Sequence, residues 1–199
     1  ALFPQTTGSE FTIEFPAMSI RKSGLVPLMH IVGSLRDFVV HLDLPEANMD
    51  DIPGELLLLT QLKTLNLSKN NIGSIPRAIY KLTSLETLNL CGNWRIPDAD
   101  FAQALAGNNA QLVFSRRWED ANGIWKEGSP VTMHRSGVGV NFSSKALGWD
   151  GTMVVGACLP KFHEVSSIGL SGDLVWMSSL FTALQQRCAL LTGLALSGV

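Results

Sequence analysis

The feature that most constrains this chain is a stretch of sequence that repeats itself after 23 residues. Four leucines and an asparagine recur in the two clearest copies. The first copy has Leu59, Leu62, Leu65, Leu67 and Asn70, and the second has Leu82, Leu85, Leu88, Leu90 and Asn93 at the same positions. A weaker third copy lies 23 residues earlier, where Ala47 stands at the asparagine position. Repetition at this period is typical of stacked structural units, each of which buries its apolar side only against its neighbours.

Within each copy, the spacing of the apolar residues predicts a short strand followed by a turn. Leu65 and Leu67 lie on one side of an extended chain, whereas Asn66 lies on the other. We expect the amide of Asn70 to be buried and to bond backbone groups that the turn leaves unpaired. Ile75-Pro76 then begins a return segment, because proline fixes φ and donates no hydrogen bond.

The return segments are expected to be partly helical. Asp98 is a candidate N-cap of a helix that carries Phe101 and Leu105, since short acidic side chains accept hydrogen bonds from the first turn. Ser178 or Ser179 is a candidate cap of a second helix nearer the end of the sequence.

These residues resemble the leucine-rich repeat family, whose core is L-x-x-L-x-L-x-x-N, and the 23-residue period with Ile-Pro after the asparagine resembles its typical class. The resemblance covers residues 35–97, and the repeats on both sides are irregular. It implies an α/β solenoid, with a curved parallel β-sheet on the concave side and short helices, 3-10 turns and loops on the convex side. It also implies a scaffold that binds proteins, because the typical class is common in intracellular scaffolds.

The strand pattern extends beyond the central copies as eight pairs of apolar residues two positions apart. The pairs are Ile13/Phe15, Leu42/Leu44, Leu65/Leu67, Leu88/Leu90, Leu112/Phe114, Val140/Phe142, Ile168/Leu170 and Leu194/Leu196. They predict a single array of seven to eight repeats over residues 1–199, which ends mid-repeat at Val199. The alternative is two blocks of repeats separated by an irregular island at residues 98–137.

Composition and motifs favour neither catalysis nor metal or nucleic-acid binding. The 15 basic and 17 acidic side chains give a net charge of −2, whereas nucleic-acid binders normally carry a basic stripe. The 4 histidines lack metal-ligand spacing, and the 3 cysteines form no C-x-x-C pair. No apolar run is long enough for a transmembrane helix. We therefore expect a non-enzymatic chain without a metal or cofactor.

The candidate binding surface consists of the outward side chains of the three clearest copies, on the expected concave face. They are His41, Asp43, Glu46, Lys63, Thr64, Asn66, Lys69, Glu86, Thr87 and Asn89. Mixed charges and amides suit recognition of a protein surface, where charges at the rim govern specificity and encounter rate. Arg116-Arg117 is expected to be solvated surface, and the tryptophans, among them Trp94 and Trp125, to pack at edges and in the core.

Three functions remain open. The first is a non-catalytic protein–protein interaction module or scaffold, whose partner is a protein or several subunits of a larger complex. The second is a structural accessory subunit of a large assembly, which the low charged content of 16% favours. The third is an extracellular receptor segment that binds a peptide or glycan. The sequence favours an intracellular or organellar location over an extracellular one, without naming a compartment.

Overall fold

The computed structural model describes residues 6–7, 10–14, 22–106, 110–115, 117–119, 122–127, 130–136, 139–147, 167–174 and 192–197. The strands in chain order are β1 (Thr6–Thr7), β2 (Glu10–Glu14), β3 (Val39–Asp43), β4 (Thr64–Asn66), β5 (Thr87–Asn89), β6 (Gln111–Phe114), β7 (Arg117–Glu119), β8 (Trp125–Glu127), β9 (Val131–Ser136), β10 (Gly139–Leu147), β11 (Ser167–Leu174) and β12 (Gly193–Ser197). The helices are α1 (Lys22–Ser34) and α2 (Asp98–Ala106), with 3-10 helices η1 (Gly54–Leu58) and η2 (Arg77–Lys81).

Ten of the described strands form one predominantly parallel sheet, in the order β1-β2-β3-β4-β5-β6-β9-β10-β11-β12. Strands β2 to β6 pair in parallel, and so do β10 to β12. Strand β9 lies between these two blocks and is antiparallel to both of its neighbours. Strands β7 and β8 form a separate antiparallel hairpin. The described sheet is therefore predominantly parallel, as expected for an α/β fold, with one inserted strand that the repeat pattern does not predict.

The first apolar residue of each predicted pair lies on a strand and is in register with its neighbours, whereas Leu44, Leu67 and Leu90 lie immediately after β3, β4 and β5. The first block aligns Ile13, Leu42, Leu65, Leu88 and Leu112, and the second aligns Val140, Ile168 and Leu194. Met133 of β9 stands between Leu112 and Phe142, so the interval between these two residues does not form one regular coil. Phe15 lies outside the described residues. The number of repeats and the extent of the domain remain predictions.

The core of the first block is formed by the inward leucines and by the return segments. The inward leucines of this block are Leu42, Leu44, Leu65, Leu67, Leu88 and Leu90, and each side chain is exposed by 3% or less. Ile52 and Ile75, which precede the prolines of the return segments, are also buried. Complete burial of such a side chain contributes about 1.5–3 kcal/mol, so the stacked leucines dominate the stability of these coils.

The return segments are helical, in agreement with the sequence. Helices η1 and η2 follow Pro53 and Pro76, and α2 begins at the predicted Asp98. Phe101 of α2 is fully buried and stacks on Phe114, with ring centroids 4.5 Å apart. The second predicted helix, at Ser178 or Ser179, lies outside the described residues. Helix α1, which contains Pro27, has no counterpart in the predictions.

The buried asparagine of each central copy fixes the turn after the strand, as predicted. Asn70 Nδ2 donates to the carbonyl oxygens of Leu44 and Leu67, both at 2.9 Å, and Oδ1 accepts from Met49 N–H at 3.1 Å. Asn93 makes the equivalent three bonds one repeat later. Both side chains are almost completely buried. Each amide therefore joins its own coil to the preceding one.

Candidate protein-binding surface

The outward side chains of β3, β4 and β5 form two rows, which together we call the polar face. Its members are His41, Thr64 and Thr87 in the first row and Asp43, Asn66 and Asn89 in the second. Equivalent positions on neighbouring strands lie about 4.8 Å apart, so each row is continuous. All six side chains are half-buried. Six of the ten predicted binding residues are thus brought onto one face of three adjacent strands.

The first row contains a hydrogen bond between neighbouring strands. His41 Nδ1 lies 2.7 Å from Thr64 Oγ1, and which of the two atoms donates depends on the histidine tautomer. The hydrogen bond holds the imidazole against the sheet and limits its rotamers. The row therefore presents an ordered imidazole and hydroxyl pair.

The asparagines of the second row have a local structural role that the sequence interpretation missed. Asn66 Oδ1 accepts from Ser68 N–H at 3.1 Å, and Asn89 Oδ1 accepts from Cys91 N–H at 3.0 Å. These bonds form Asx turns at the ends of the strands. Neither Nδ2 group is bonded to another residue within the described part of the chain. The row therefore presents amide donors, with the Asp43 carboxylate at one end.

Glu46 and Lys69 lie beyond the strand ends, at equivalent positions of two successive turns. Both have a φ of 55°, and Gly92 occupies the next equivalent position with a φ of 78°. Lys69 Nζ lies 2.9 Å from Glu46 Oε1, and this hydrogen bond and the charge of Glu46 raise the pKa of Lys69. The two side chains are exposed and form an ion pair at this edge of the polar face.

Lys63 and Glu86 lie at the opposite edge, immediately before β4 and β5. Lys63 N–H donates to the Val40 carbonyl, and Glu86 N–H donates to the Lys63 carbonyl, both at 2.7 Å. Glu86 is exposed and Lys63 is half-buried. The ten predicted residues therefore occupy both edges and the centre of three neighbouring coils. That they bind a partner remains a prediction.

The hairpin β7–β8 brings together side chains that the sequence interpretation treated separately. The Arg117 guanidinium carbon lies 4.8 Å from the centroid of the Trp125 ring and 5.8 Å from that of Trp94. Ser115 accepts a hydrogen bond from Gly92 N–H at 3.1 Å and donates to Glu127 Oε1 at 3.2 Å. No local sequence pattern relates residues this far apart in the chain, so the cluster became visible only in the fold.

Two observations on the described residues concern metals and membranes. Among the residues placed by the structure, no group of three or more His, Cys, Asp or Glu side chains is suited to hold a metal ion. Within the same part of the chain, none of the helices has the length and apolar character needed to cross a membrane.

Comparison with known proteins identifies the repeats. Residues 60–102 match a family model described as Leucine Rich repeats (2 copies), so the central coils are leucine-rich repeats, as their resemblance predicted. A solved structure of a leucine-rich repeat protein from Leptospira interrogans is 19% identical with a TM-score of 0.39. The alignment covers 84% of this chain but only 45% of that one. The search of curated proteins gave no significant match.

Proposed function

We propose that this chain is a non-catalytic leucine-rich repeat solenoid that serves as a protein–protein interaction module or scaffold and binds its partner through the polar face. The observation that carries this proposal is the pair of in-register polar rows above a buried leucine core. Repeated parallel strands present a wide, preorganised surface, and solenoid proteins commonly bind through such surfaces.

The chemistry of the polar face and of the edge formed by Lys63 and Glu86 suits a protein partner better than a polyanion. Asp43 and Glu86 bring negative charge, Lys63 brings positive charge, and hydroxyls and amides lie between them. These alternating charges complement the mixed charges of another protein's surface. They do not produce the uniformly positive potential that attracts nucleic acid. The half-buried His41 and Thr64 add fixed hydrogen-bonding groups at the centre.

The test is to identify the partner by affinity isolation of the native protein and to repeat the binding with both purified proteins. We expect Thr87→Arg and Glu86→Lys, both on or beside the polar face, to weaken binding about tenfold or more, a loss of about 1.4 kcal/mol. Lys81→Glu is the control, because Lys81 is exposed at the end of η2 on the return side. Equal binding by all variants would contradict the proposal, as would catalytic turnover by the isolated chain.

A second candidate, a structural accessory subunit of a large assembly, is favoured by apolar side chains exposed on the return side. Val26 and Ile31 of α1 are 62% and 60% exposed, and Leu58 of the neighbouring η1 is 52% exposed. Large apolar side chains left exposed on two elements that contact each other are candidates for burial against another chain. Sedimentation of the native complex distinguishes the two: an accessory subunit stays in a complex of fixed stoichiometry, whereas a module dissociates on dilution.

A further inference from the structure

The Trp94–Arg117–Trp125 cluster, which we call the tryptophan–arginine stack, is ordered by the hairpin that carries it. Arg117 is directly opposite Glu127 on the paired strand, and Trp125 lies diagonally across from it on the same face. Trp94 comes from the turn after β5 and completes the stack. The attraction between a guanidinium and an indole ring holds the arginine in place, so its planar fork is preorganised.

The guanidinium of this stack has no acidic partner among the residues that the structure describes. Glu127 is the nearest candidate on the hairpin, but its Oε1 accepts the Ser115 hydroxyl hydrogen bond instead. None of the described carboxylates lies within 4.0 Å of Arg117, whose side chain is exposed. An exposed arginine held by aromatic rings and left unpaired keeps its N–H donors accessible to an incoming acceptor.

We propose that the tryptophan–arginine stack is a docking site for an acidic segment of a partner protein. An Asp or Glu carboxylate of that segment binds Arg117 through two parallel N–H···O hydrogen bonds. An apolar side chain next to it packs on Trp125 and Ile124, which are each 57% exposed. Tryptophan and arginine are the residue types on which interface binding energy concentrates, so a small contact here suffices for measurable affinity.

The charges around the stack favour a single carboxylate over a polyanion. Exposed Arg95, which follows Trp94 in the chain, adds a second positive charge beside the stack, whereas Lys126 of β8 lies on the opposite face of the hairpin; an acidic partner is therefore complementary to this surface. The negative charge of Glu127 on the same hairpin and the net charge of −2 disfavour binding of a nucleic-acid backbone, because its phosphates are negatively charged. One carboxylate is satisfied by one guanidinium, whereas a nucleic acid requires a basic stripe that the described residues do not form here.

The experiment selects ligands from a random-peptide display library on the immobilised full chain and measures the affinity of the enriched peptides, fluorescently labelled, by polarisation. We expect Asp or Glu next to an aromatic or aliphatic residue to be enriched. Arg117→Gln and Trp125→Ala should each weaken these peptides about tenfold or more, and Arg117→Lys should restore only part of the loss. Arg77→Gln is the matched control, because Arg77 is an exposed arginine on η2.

Two further measurements separate this proposal from its competitors. Peptides with Gln in place of their acidic residue should lose the same affinity, which tests the carboxylate without altering the protein. Thr87→Arg on the polar face should leave peptide affinity unchanged. A negative result for the polar face would therefore leave the proposal for the tryptophan–arginine stack standing, and the reverse also holds. A selection without binders, enrichment without acidic residues, or affinity unaffected by Arg117→Gln would overturn the proposal. Tighter binding of a short oligothymidylate, lost in Arg117→Gln, would assign the stack to polyanions instead.

Discussion

At the scale of single residues, Asn70 and Asn93 show how a buried amide determines the path of the backbone. Each bonds at least three backbone groups that lie outside the strands and helices. A buried backbone group without a partner costs about 1–3 kcal/mol, so the turn is stable only while the amide is present. The leucines supply the burial energy, and the asparagines supply the geometry that makes one coil stack on the next.

Replacing Asn70 with alanine should therefore destabilise the chain strongly. The change leaves Met49 N–H and the Leu44 carbonyl without their side-chain partner, whereas the Leu67 carbonyl keeps its bond from Asn93, and we expect a loss of about 2–4 kcal/mol in the free energy of unfolding. Urea denaturation measures it. The control is Asn71→Ala, because Asn71 is exposed and its side chain bonds only the Asp50 side chain among described partners, so the loss should stay within about 0.5 kcal/mol. Equal effects would contradict the proposed role.

Gly92 occupies the turn position that Glu46 and Lys69 hold in the two preceding copies, but at Gly92 a side chain would press against the backbone of Lys69. Its φ is 78°, and an added Cβ would lie 3.0 Å from the Lys69 Cα atom. We expect Gly92→Ala to lower the melting temperature, at a cost of about 1–3 kcal/mol. Gly73→Ala is the matched control, since a Cβ there meets nothing within 4 Å. A Gly92→Ala variant as stable as Gly73→Ala would show that this turn relaxes freely.

Cys91 should react slowly with alkylating reagents in the folded protein. Burial raises the pKa of its thiol, and a hydrogen bond with Ser115 opposes this in part. Because the unfolded thiol ionises first as pH rises, the stability contributed by the protonated thiol is complete below the unfolded pKa and is lost as pH rises towards the folded pKa. Peptide-level mass spectrometry should place the pH profile of Cys91 alkylation by iodoacetamide at higher pH in the native chain than in urea. Coincident profiles would contradict this.

At the scale of elements, the strands are what the sequence specified most directly. A leucine two positions from another leucine, repeated every 23 residues, determines both the strand and its register, because a slip would expose the row to solvent. Leu65 and Leu88 therefore align as predicted. The outward residues follow from the same alternation, which is why six of the ten candidate binding residues form the polar face.

The elements that departed from the repeat were not predictable by this reasoning. Pro27 and two glycines weaken the helical signal of α1, which forms because its inward side chains pack on the first coil. Strand β9 carries an alternating pattern, but its partners are chosen by tertiary packing around Met133. The tryptophan–arginine stack joins residues from a turn and a hairpin, so its geometry depends on where β7–β8 docks.

Met133 should be essential for joining the two blocks of parallel strands. It is fully buried and pairs with Leu112 on one side and Phe142 on the other. We expect Met133→Ala to cost about 2–5 kcal/mol by cavity formation and to speed hydrogen exchange in β9 and β10. Gln111→Ala, at an exposed position of the neighbouring β6, should change neither quantity. Unchanged exchange in the Met133 variant would show that the blocks do not depend on this strand.

At the scale of the whole molecule, the side chains that stabilise the fold are different from those proposed to bind partners. The leucine rows face inward, whereas β3, β4 and β5 supply the polar face, and the turn after β5 and the β7–β8 hairpin supply the tryptophan–arginine stack. A change on either surface therefore leaves the leucine rows intact. This separation is what allows surface variants such as Thr87→Arg and Arg117→Gln to report on binding rather than on folding.

If the chain is a solenoid, its stability should be distributed from coil to coil instead of residing in one core. In such arrays each repeat contacts only its neighbours, so damage to one coil spreads mainly to the adjacent ones. We expect Leu65→Ala, at a position only 1% exposed, to cost about 2–5 kcal/mol. Native-state hydrogen exchange should then quicken in β3, β4 and β5 and stay unchanged in β11 and β12. Tyr80→Ala, at a 52% exposed position of η2, is the control and should have no such effect. Equal acceleration in every strand would mean that the chain unfolds as one cooperative unit, and it would contradict the solenoid.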